Sequence, residues 1–369
     1  MVPLFEHYPR LAEKIPYISL GNLPSPVQKA TQLGADIGVN SLYIKRDDLS
    51  GKIYGGNKVR KLEFLLGQAL CDNAQEVLTF GYAGSNHACA TAIYAKEVGL
   101  TSISMLLPQP NAHYVRKNLL MSHYAGAELH QYRNTLFGCI GSVYQLLRHK
   151  RRYGQFPFII PPGGSSCTGI TGFVNAAFEL REQIKKGELP EPDYIYVALG
   201  TMGTAIGLAL GMKAAELKTR VIGVRVVDEK FANLKKMTRL FYNTNSMLHS
   251  HDNTFPLIEF SEKDLEIRHG YMGQHYALFT EGGMKAAQRM IKHEGLMLEG
   301  TYTAKTVSAL IDDGEDQILR DKVVLFWNTY NSHNLSSIVD TIDYHTLPQA
   351  FHYYFEEEVQ ALDRNYFHN

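Results

Sequence analysis

The chain has 369 residues, of which 45% are hydrophobic and 20% charged, so a large core is available and disorder is not expected. Its 37 basic and 37 acidic residues cancel to zero formal charge at a sequence pI of about 7.3, which removes any global electrostatic pull toward nucleic acid or an anionic membrane. The cysteines, Cys71, Cys89, Cys139 and Cys167, form no Cys-x-x-Cys pair, which speaks against a zinc ribbon or a redox dithiol and fits a reducing cytoplasm. The first residues carry early charge and no apolar leader run, and no stretch approaches a membrane span, so a cytoplasmic protein with no membrane or nucleic-acid partner is expected.

In chain order, short apolar runs alternate with helical periodicity. A strand over 42–45 leads to a helix over 58–70, a strand over 76–80 to a helix over 86–98, and a strand over 102–107 to a helix over 115–122. A helix over 136–148 precedes a strand over 156–160 and a helix over 172–185. A strand over 194–199 then enters a helix over 203–217, followed by a strand over 220–226, a helix over 282–293 and a strand over 322–327. This repetition predicts an α/β fold of mainly parallel sheet flanked by helices, and the length points to two domains.

Between these elements, residues 231–268 read as polar loops with one helix. His249 and His251 fall in that loop-like stretch with no third ligand placed by spacing, so no metal is expected. The basic run at 148–152 closes a predicted helix, where it complements the helix dipole. At the end of the chain Phe351, Tyr354, Phe355, Val359 and Leu362 fall near helical spacing, which predicts an amphipathic helix docked on the domain.

Two junctions carry chemistry. In Tyr54-Gly55-Gly56-Asn57-Lys58-Val59-Arg60-Lys61 a glycine turn sets Lys58 at a helix entry. A lysine amine forms a Schiff base with an aldehyde, and pyridoxal phosphate is the usual protein-bound aldehyde. In Leu199-Gly200-Thr201-Met202-Gly203-Thr204 a buried strand runs through a turn into an apolar helix, presenting backbone N–H groups and hydroxyls where a phosphate is favoured. Either motif alone is a common connection; together they make pyridoxal 5'-phosphate the economical cofactor. The turns at 81–86 and 162–165 take the same position, beyond the carboxyl ends of strands.

These residues, with Ser85-Asn86-His87 and Leu298-Glu299-Gly300-Thr301-Tyr302-Thr303-Ala304-Lys305, resemble the 1-aminocyclopropane-1-carboxylate deaminase/D-cysteine desulfhydrase family. These are pyridoxal-phosphate enzymes of fold type II, the tryptophan-synthase β fold. The similarity runs from about residue 16 to about 340, and the stretch from Tyr344 has no obvious counterpart. The resemblance implies two doubly wound domains, a discontinuous larger one over 1–58 and 166–369 and a smaller inserted one over 59–165. It implies that Lys58 holds the cofactor, that Lys61 and Thr201, Met202, Gly203 and Thr204 hold its phosphate, that Asn86 meets its ring hydroxyl, and that Thr329 faces its pyridine nitrogen. Ser85, Asn86, His87, Tyr302 and Thr303 are then the substrate residues, with Lys58, Ser85, Tyr276 and Tyr302 catalytic; a homodimer is the common assembly.

Three departures bear on the substrate. His87 and Thr303 stand where the family's deaminases carry glutamine and glutamate, as in the desulfhydrase branch. Tyr330 and Asn331 replace two glycines after Thr329, which is expected to reshape or narrow the pocket. The expected reaction is therefore β-elimination from a D-amino acid, D-cysteine above all, to pyruvate, ammonia and sulfide. The alternatives are opening of 1-aminocyclopropane-1-carboxylate to 2-oxobutanoate and ammonia, or a non-catalytic pyridoxal-phosphate-binding protein.

Overall fold

A computed structural model describes residues 2–367; Met1, His368 and Asn369, which the expected domain bounds include, lie outside the described residues. Ten strands form two sheets: β1 (Val27–Lys29), β2 (Ser41–Lys45), β3 (Glu76–Tyr82), β4 (Thr101–Leu107), β5 (Glu128–Gln131), β6 (Phe158–Ile160), β7 (Tyr194–Leu199), β8 (Arg220–Arg225), β9 (Leu265–Arg268) and β10 (Val323–Trp327). The larger sheet runs β1-β2-β10-β7-β8-β9 and the smaller β5-β4-β3-β6. All pairings are parallel except β1 with β2, so β1 is an antiparallel edge.

Alternate residues of the larger sheet enter different cores. Ile195, Val197, Leu199 and Trp327 pack on one face with the helices Cys167–Lys185 and Gly203–Ala214, whereas Tyr196, Val324 and Phe326 pack on the other with Thr303–Glu315. Burial on both faces explains why these strands read as continuous apolar runs rather than alternating ones. The helix Lys58–Cys71 is shared: Phe64 enters the core of the larger sheet, while Leu62, Leu65 and Leu66 enter that of the smaller one. Lys58, at its first turn, thus stands where the cores of the two sheets meet.

The seven predicted strands and seven predicted helices are present, and the structure adds to or corrects the rest. The strands β1, β5 and β9 are three or four residues each, too short to leave a pattern. Residues 234–251 form a single helix, Leu234–His251, so His249 and His251 close a helix rather than lie in a loop. The C-terminal stretch is not one amphipathic helix. It breaks into the turns Tyr344–Thr346 and Gln349–Phe351 and the helices Tyr353–Glu356 and Ala361–Phe367, with Phe351, Tyr354 and Val359 buried. No helix among the described residues is long and apolar enough to cross a membrane.

Candidate active site

The carboxyl ends of β3, β7 and β10 and the start of the Lys58 helix converge on a cavity of about 440 Å³. Lys58, Lys61, Ser85, Asn86, His87, Thr201, Met202, Gly203, Thr204, Tyr276, Tyr302 and Thr329 all line it. Of the sequence-predicted site residues, Thr303 alone is not brought there. Its Oγ1 accepts from the Glu299 N–H at 3.0 Å inside the entry turn of its own helix, so it stands behind the wall as a structural residue. Tyr330 does line the cavity, its hydroxyl accepting from Lys117 Nζ at 3.0 Å. Asn331 turns away and accepts from Gly55 N at 2.7 Å, so it braces the glycine turn and does not narrow the pocket.

Asn57, which the sequence offers only as part of the turn before Lys58, organises the centre. Lys58 Nζ donates to Asn57 Oδ1 at 2.9 Å, Asn57 Nδ2 donates to Thr204 Oγ1 at 2.9 Å, and Asn57 N donates to the Thr329 carbonyl at 3.2 Å. One residue therefore joins the lysine to the phosphate-type turn through its side chain and to the strand end bearing Thr329 through its backbone. Burial pulls the Lys58 ammonium down to about 8, only partly opposed by the Glu299 charge.

Below the lysine lies a cup of donors. Lys61 Nζ donates to Gly163 O at 3.0 Å and Ser165 Oγ at 3.3 Å, and the Ser165 and Thr201 hydroxyls are 2.8 Å apart. Met202 takes a left-handed backbone (φ 67°) to start the helix Gly203–Ala214, whose first N–H groups receive no side-chain cap. A Cβ on Gly163 would lie 2.2 Å from Thr201 Oγ1, and one on Gly203 would lie 2.9 Å from Lys61 Nζ, so the cup needs both glycines. His87 borders it, buried, with neither ring nitrogen hydrogen-bonded to protein. Burial first, then Lys58 and Lys61, keep that imidazole neutral, and burial with the Lys58 charge holds Lys61 well below an ordinary lysine.

On the opposite wall Ser85 caps the helix Asn86–Glu97, its Oγ accepting from Ala88 N at 3.1 Å and leaving the hydroxyl proton for another partner. Asn86 Oδ1 accepts from Tyr54 OH at 2.9 Å and Asn118 Nδ2 at 2.8 Å, which leaves its amide NH2 as the group to address a ligand. Above, the hydroxyls of Tyr276 and Tyr302 share a short hydrogen bond, and Tyr82 packs on Tyr276 with ring centroids 4.6 Å apart. Burial raises both phenols, so each keeps its proton at neutral pH.

Glu299, quoted in the sequence motif but given no role there, sets Tyr302. Its carboxylate accepts from the N–H groups of Thr301 (2.8 Å), Tyr302 (2.6 Å) and Thr303 (2.9 Å), capping the helix Thr303–Glu315 from four residues upstream. A glutamate just ahead of a helix entry is the signal that could have placed both the cap and that helix.

Arg60, on the same helix as Lys58 and Lys61, faces away from the cavity. Its guanidinium donates to both carboxylate oxygens of Asp47 and both of Glu179 at 2.7–2.9 Å, and Lys45 Nζ reaches Glu179 at 2.6 Å. Trp327 Nε1 also donates to Asp47 at 2.6 Å. Burial alone would raise Glu179, but Arg60 and Lys45 outweigh it and hold the carboxyl at about 2.

Residues 18–329 match the family model described as "Pyridoxal-phosphate dependent enzyme". Among curated proteins, the chain is 32% identical over 304 residues to the mitochondrial bifunctional D-cysteine desulfhydrase/1-aminocyclopropane-1-carboxylate deaminase of Arabidopsis thaliana, covering 80% of this chain and 72% of that protein. It is 29% identical over 321 residues to the D-cysteine desulfhydrase of Serratia proteamaculans (strain 568), covering 86% and 94%. Among solved structures it superposes on an ACC deaminase homologue with a TM-score of 0.75 at 30% identity, covering 89% of this chain and 95% of that one.

Proposed function

This chain belongs to the pyridoxal-phosphate dependent enzyme family, and from that premise we propose that it catalyses β-elimination from a small D-amino acid, D-cysteine first. The observation that carries the cofactor site is a pair of lysines, half-buried Lys58 and buried Lys61, with no ion-pair partner among the described residues, beside an uncapped helix N-terminus and an unpartnered His87. Such a donor set suits an aldehyde that carries a phosphate. Lys58 would hold the cofactor covalently, Lys61 and the N–H groups and hydroxyls of 201–204 its phosphate, Asn86 its ring hydroxyl and Thr329 its pyridine nitrogen. When bound, the cofactor makes an amino acid's α-hydrogen acidic by taking carbanion charge into its ring. The same reading places the cavity between a larger unit, 1–58 with 166–369, and an inserted unit, 59–165.

The chain's own groups then divide the work. The Ser85 hydroxyl and the first N–H groups of the helix Asn86–Glu97 receive the substrate carboxylate. Lys58, whose amine is half neutral at about pH 8, can take a proton from Cα. The Tyr276–Tyr302 hydroxyl pair holds a proton that either oxygen can deliver to a departing group. Thr303 has no carboxyl and stands behind the wall, and the Glu299 carboxylate is occupied by three backbone N–H groups. The glutamate that the resemblance associates with ring opening of 1-aminocyclopropane-1-carboxylate is therefore missing at 303, which favours elimination.

Cofactor-loaded protein should release pyruvate and sulfide from D-cysteine and little or no 2-oxobutanoate from 1-aminocyclopropane-1-carboxylate. The reverse result would assign the deaminase reaction, and silence with both would defeat the reading.

A further inference from the structure

The C-terminal stretch from Tyr344 lies outside the family match, which ends at residue 329, yet it touches both units of the molecule. Phe351 and Tyr354 are fully buried in the core that also holds Leu119 and Met284. On the side of the smaller sheet, Arg116 Nε donates to the Tyr354 carbonyl at 2.7 Å, Asn111 Nδ2 donates to the Tyr354 and Glu357 carbonyls at 2.9 Å each, and the Asp363 carboxylate accepts from His113 N at 2.6 Å. These bonds anchor a strap across the helix His113–Tyr124.

At its centre Gln360 spans to the other unit. Its N–H donates to the Asn111 carbonyl at 3.1 Å. Its side-chain Oε1 accepts from Phe279 N at 2.7 Å, and Nε2 donates to the Ala277 carbonyl at 3.2 Å and to that of Asn111 at 3.4 Å. One amide therefore grips the turn just after Tyr276 from both sides. That turn is strained: Ala277 is fully buried with φ of 65°, a left-handed backbone that a residue with a Cβ adopts at a cost and keeps only where its surroundings hold it. Lys305 holds the same loop from below, its Nζ donating to the Met272 and Leu278 carbonyls at 2.6 and 2.7 Å, but it makes no bond to Ala277 or Phe279.

We propose that Gln360 is a positioning residue: the C-terminal strap uses its side-chain amide to hold Ala277 left-handed, which aims the Tyr276 hydroxyl at Tyr302 over Lys58. The catalytic part of this inference rests on the elimination reading; the conformational part does not. With the clamp gone, the alanine relaxes, the two hydroxyls separate, and proton delivery to the leaving group slows while the cofactor cup, which the strap does not touch, is unchanged.

The test uses the full-length chain with Gln360→Met, which keeps the side chain's length and removes its polar atoms. In cofactor-free protein, amide exchange at Leu278 and Phe279 should accelerate by at least about tenfold while β7 and β8 keep their protection. In loaded protein, kcat for D-cysteine should fall by about tenfold with cofactor affinity intact, and a second change, Ala277→Gly, should restore part of kcat because glycine takes the left-handed turn freely. Should the methionine variant not fold, Gln360→Glu keeps the acceptor for Phe279 N but loses the donor to Ala277, and the same measurements apply. Unaltered exchange at Phe279, or exchange that rises equally across both sheets, would overturn the proposal. A wild-type protein inert toward D-cysteine would instead defeat the elimination reading, and the exchange experiment would still judge the clamp.

Discussion

Arg60 and its neighbours Lys58 and Lys61 begin one helix, lie wholly or, for Lys58, half buried, and have opposite electrostatic fates. Arg60 is matched by Asp47 and Glu179, and with Lys45 the group sums to zero charge. Lys58 and Lys61 have no carboxylate partner among the described residues, and burial drives both toward neutrality. A buried charge that is fully paired ties elements together: here the end of β2, the Lys58 helix, the helix Cys167–Lys185 and the end of β10. A buried charge without a partner costs stability and persists where a ligand supplies the missing charge or the chemistry needs a neutral amine. The first cluster builds the platform, and the second is what the platform displays.

The largest expected effect is on turnover. Lys58→Ala should lower pyruvate release from D-cysteine by about a thousandfold or more in protein that still folds cooperatively, as expected for a nucleophilic lysine. In the paired cluster, Asp47→Ala should leave Arg60 and Lys45 sharing the single carboxylate of Glu179, one buried positive charge in excess, and cost about 3–5 kcal/mol in denaturant unfolding of cofactor-free protein. The unpaired site should behave in the opposite sense. Lys58 falls from its ordinary 10.5 to about 8, so the unfolded chain binds that proton more tightly. Below about pH 8 the buried amine therefore destabilises the cofactor-free fold, and the penalty fades as pH rises from about 8 to about 10.5. Lys58→Met should accordingly stabilise cofactor-free protein near pH 7 by on the order of 2 kcal/mol. Destabilisation there would break the contrast between the two clusters.

The smallest effect expected comes from Glu63, on the same helix. Burial raises its carboxyl to about 7, opposed by the N–H groups of Gly21 and Leu20, which donate to Oε1 at 3.1 Å. A raised carboxyl contributes stability that is complete below its unfolded value of about 4.5 and lost as pH rises through about 7. Glu63→Gln should thus raise the melting temperature by a few degrees near pH 8 and have little effect near pH 5.

Much of this was legible in the sequence where a motif sits at a strand-to-helix junction. Lys58 and the turn through Met202 announce themselves because glycines stand beside a helix entry after an extended or apolar stretch, whereas the role of Asn86 came from the family resemblance. Other parts depend on residues distant in the chain and left no local signal. The role of Asn57 appears only when Thr204 and Thr329 come within reach, and the network of Asp47 needs Arg60 and Trp327 together. Thr303 read as a pocket residue because the resemblance puts it where the family's deaminases carry glutamate, yet one step along a helix entry swings a side chain by about 100° and puts it behind the wall. The C-terminal stretch read as a helix from its apolar spacing, but Pro348 and the extended Glu357 break it into pieces that wrap rather than lie flat. The helix Thr135–Tyr153 was foreseen, but not that it buries Gly141, Ser142 and Gln145 and leaves Leu136, Ile140 and Tyr144 in water, the reverse of the usual apolar-inward rule.

The central claim is that the unpaired lysine at the helix entry holds the cofactor. Borohydride reduction of protein loaded with pyridoxal phosphate, followed by proteolysis and mass mapping, tests it most directly. A pyridoxyl group is expected on Lys58 alone, absent from the Lys58→Ala protein; a label on Lys61, or on another lysine with Lys58 unmodified, would overturn the assignment.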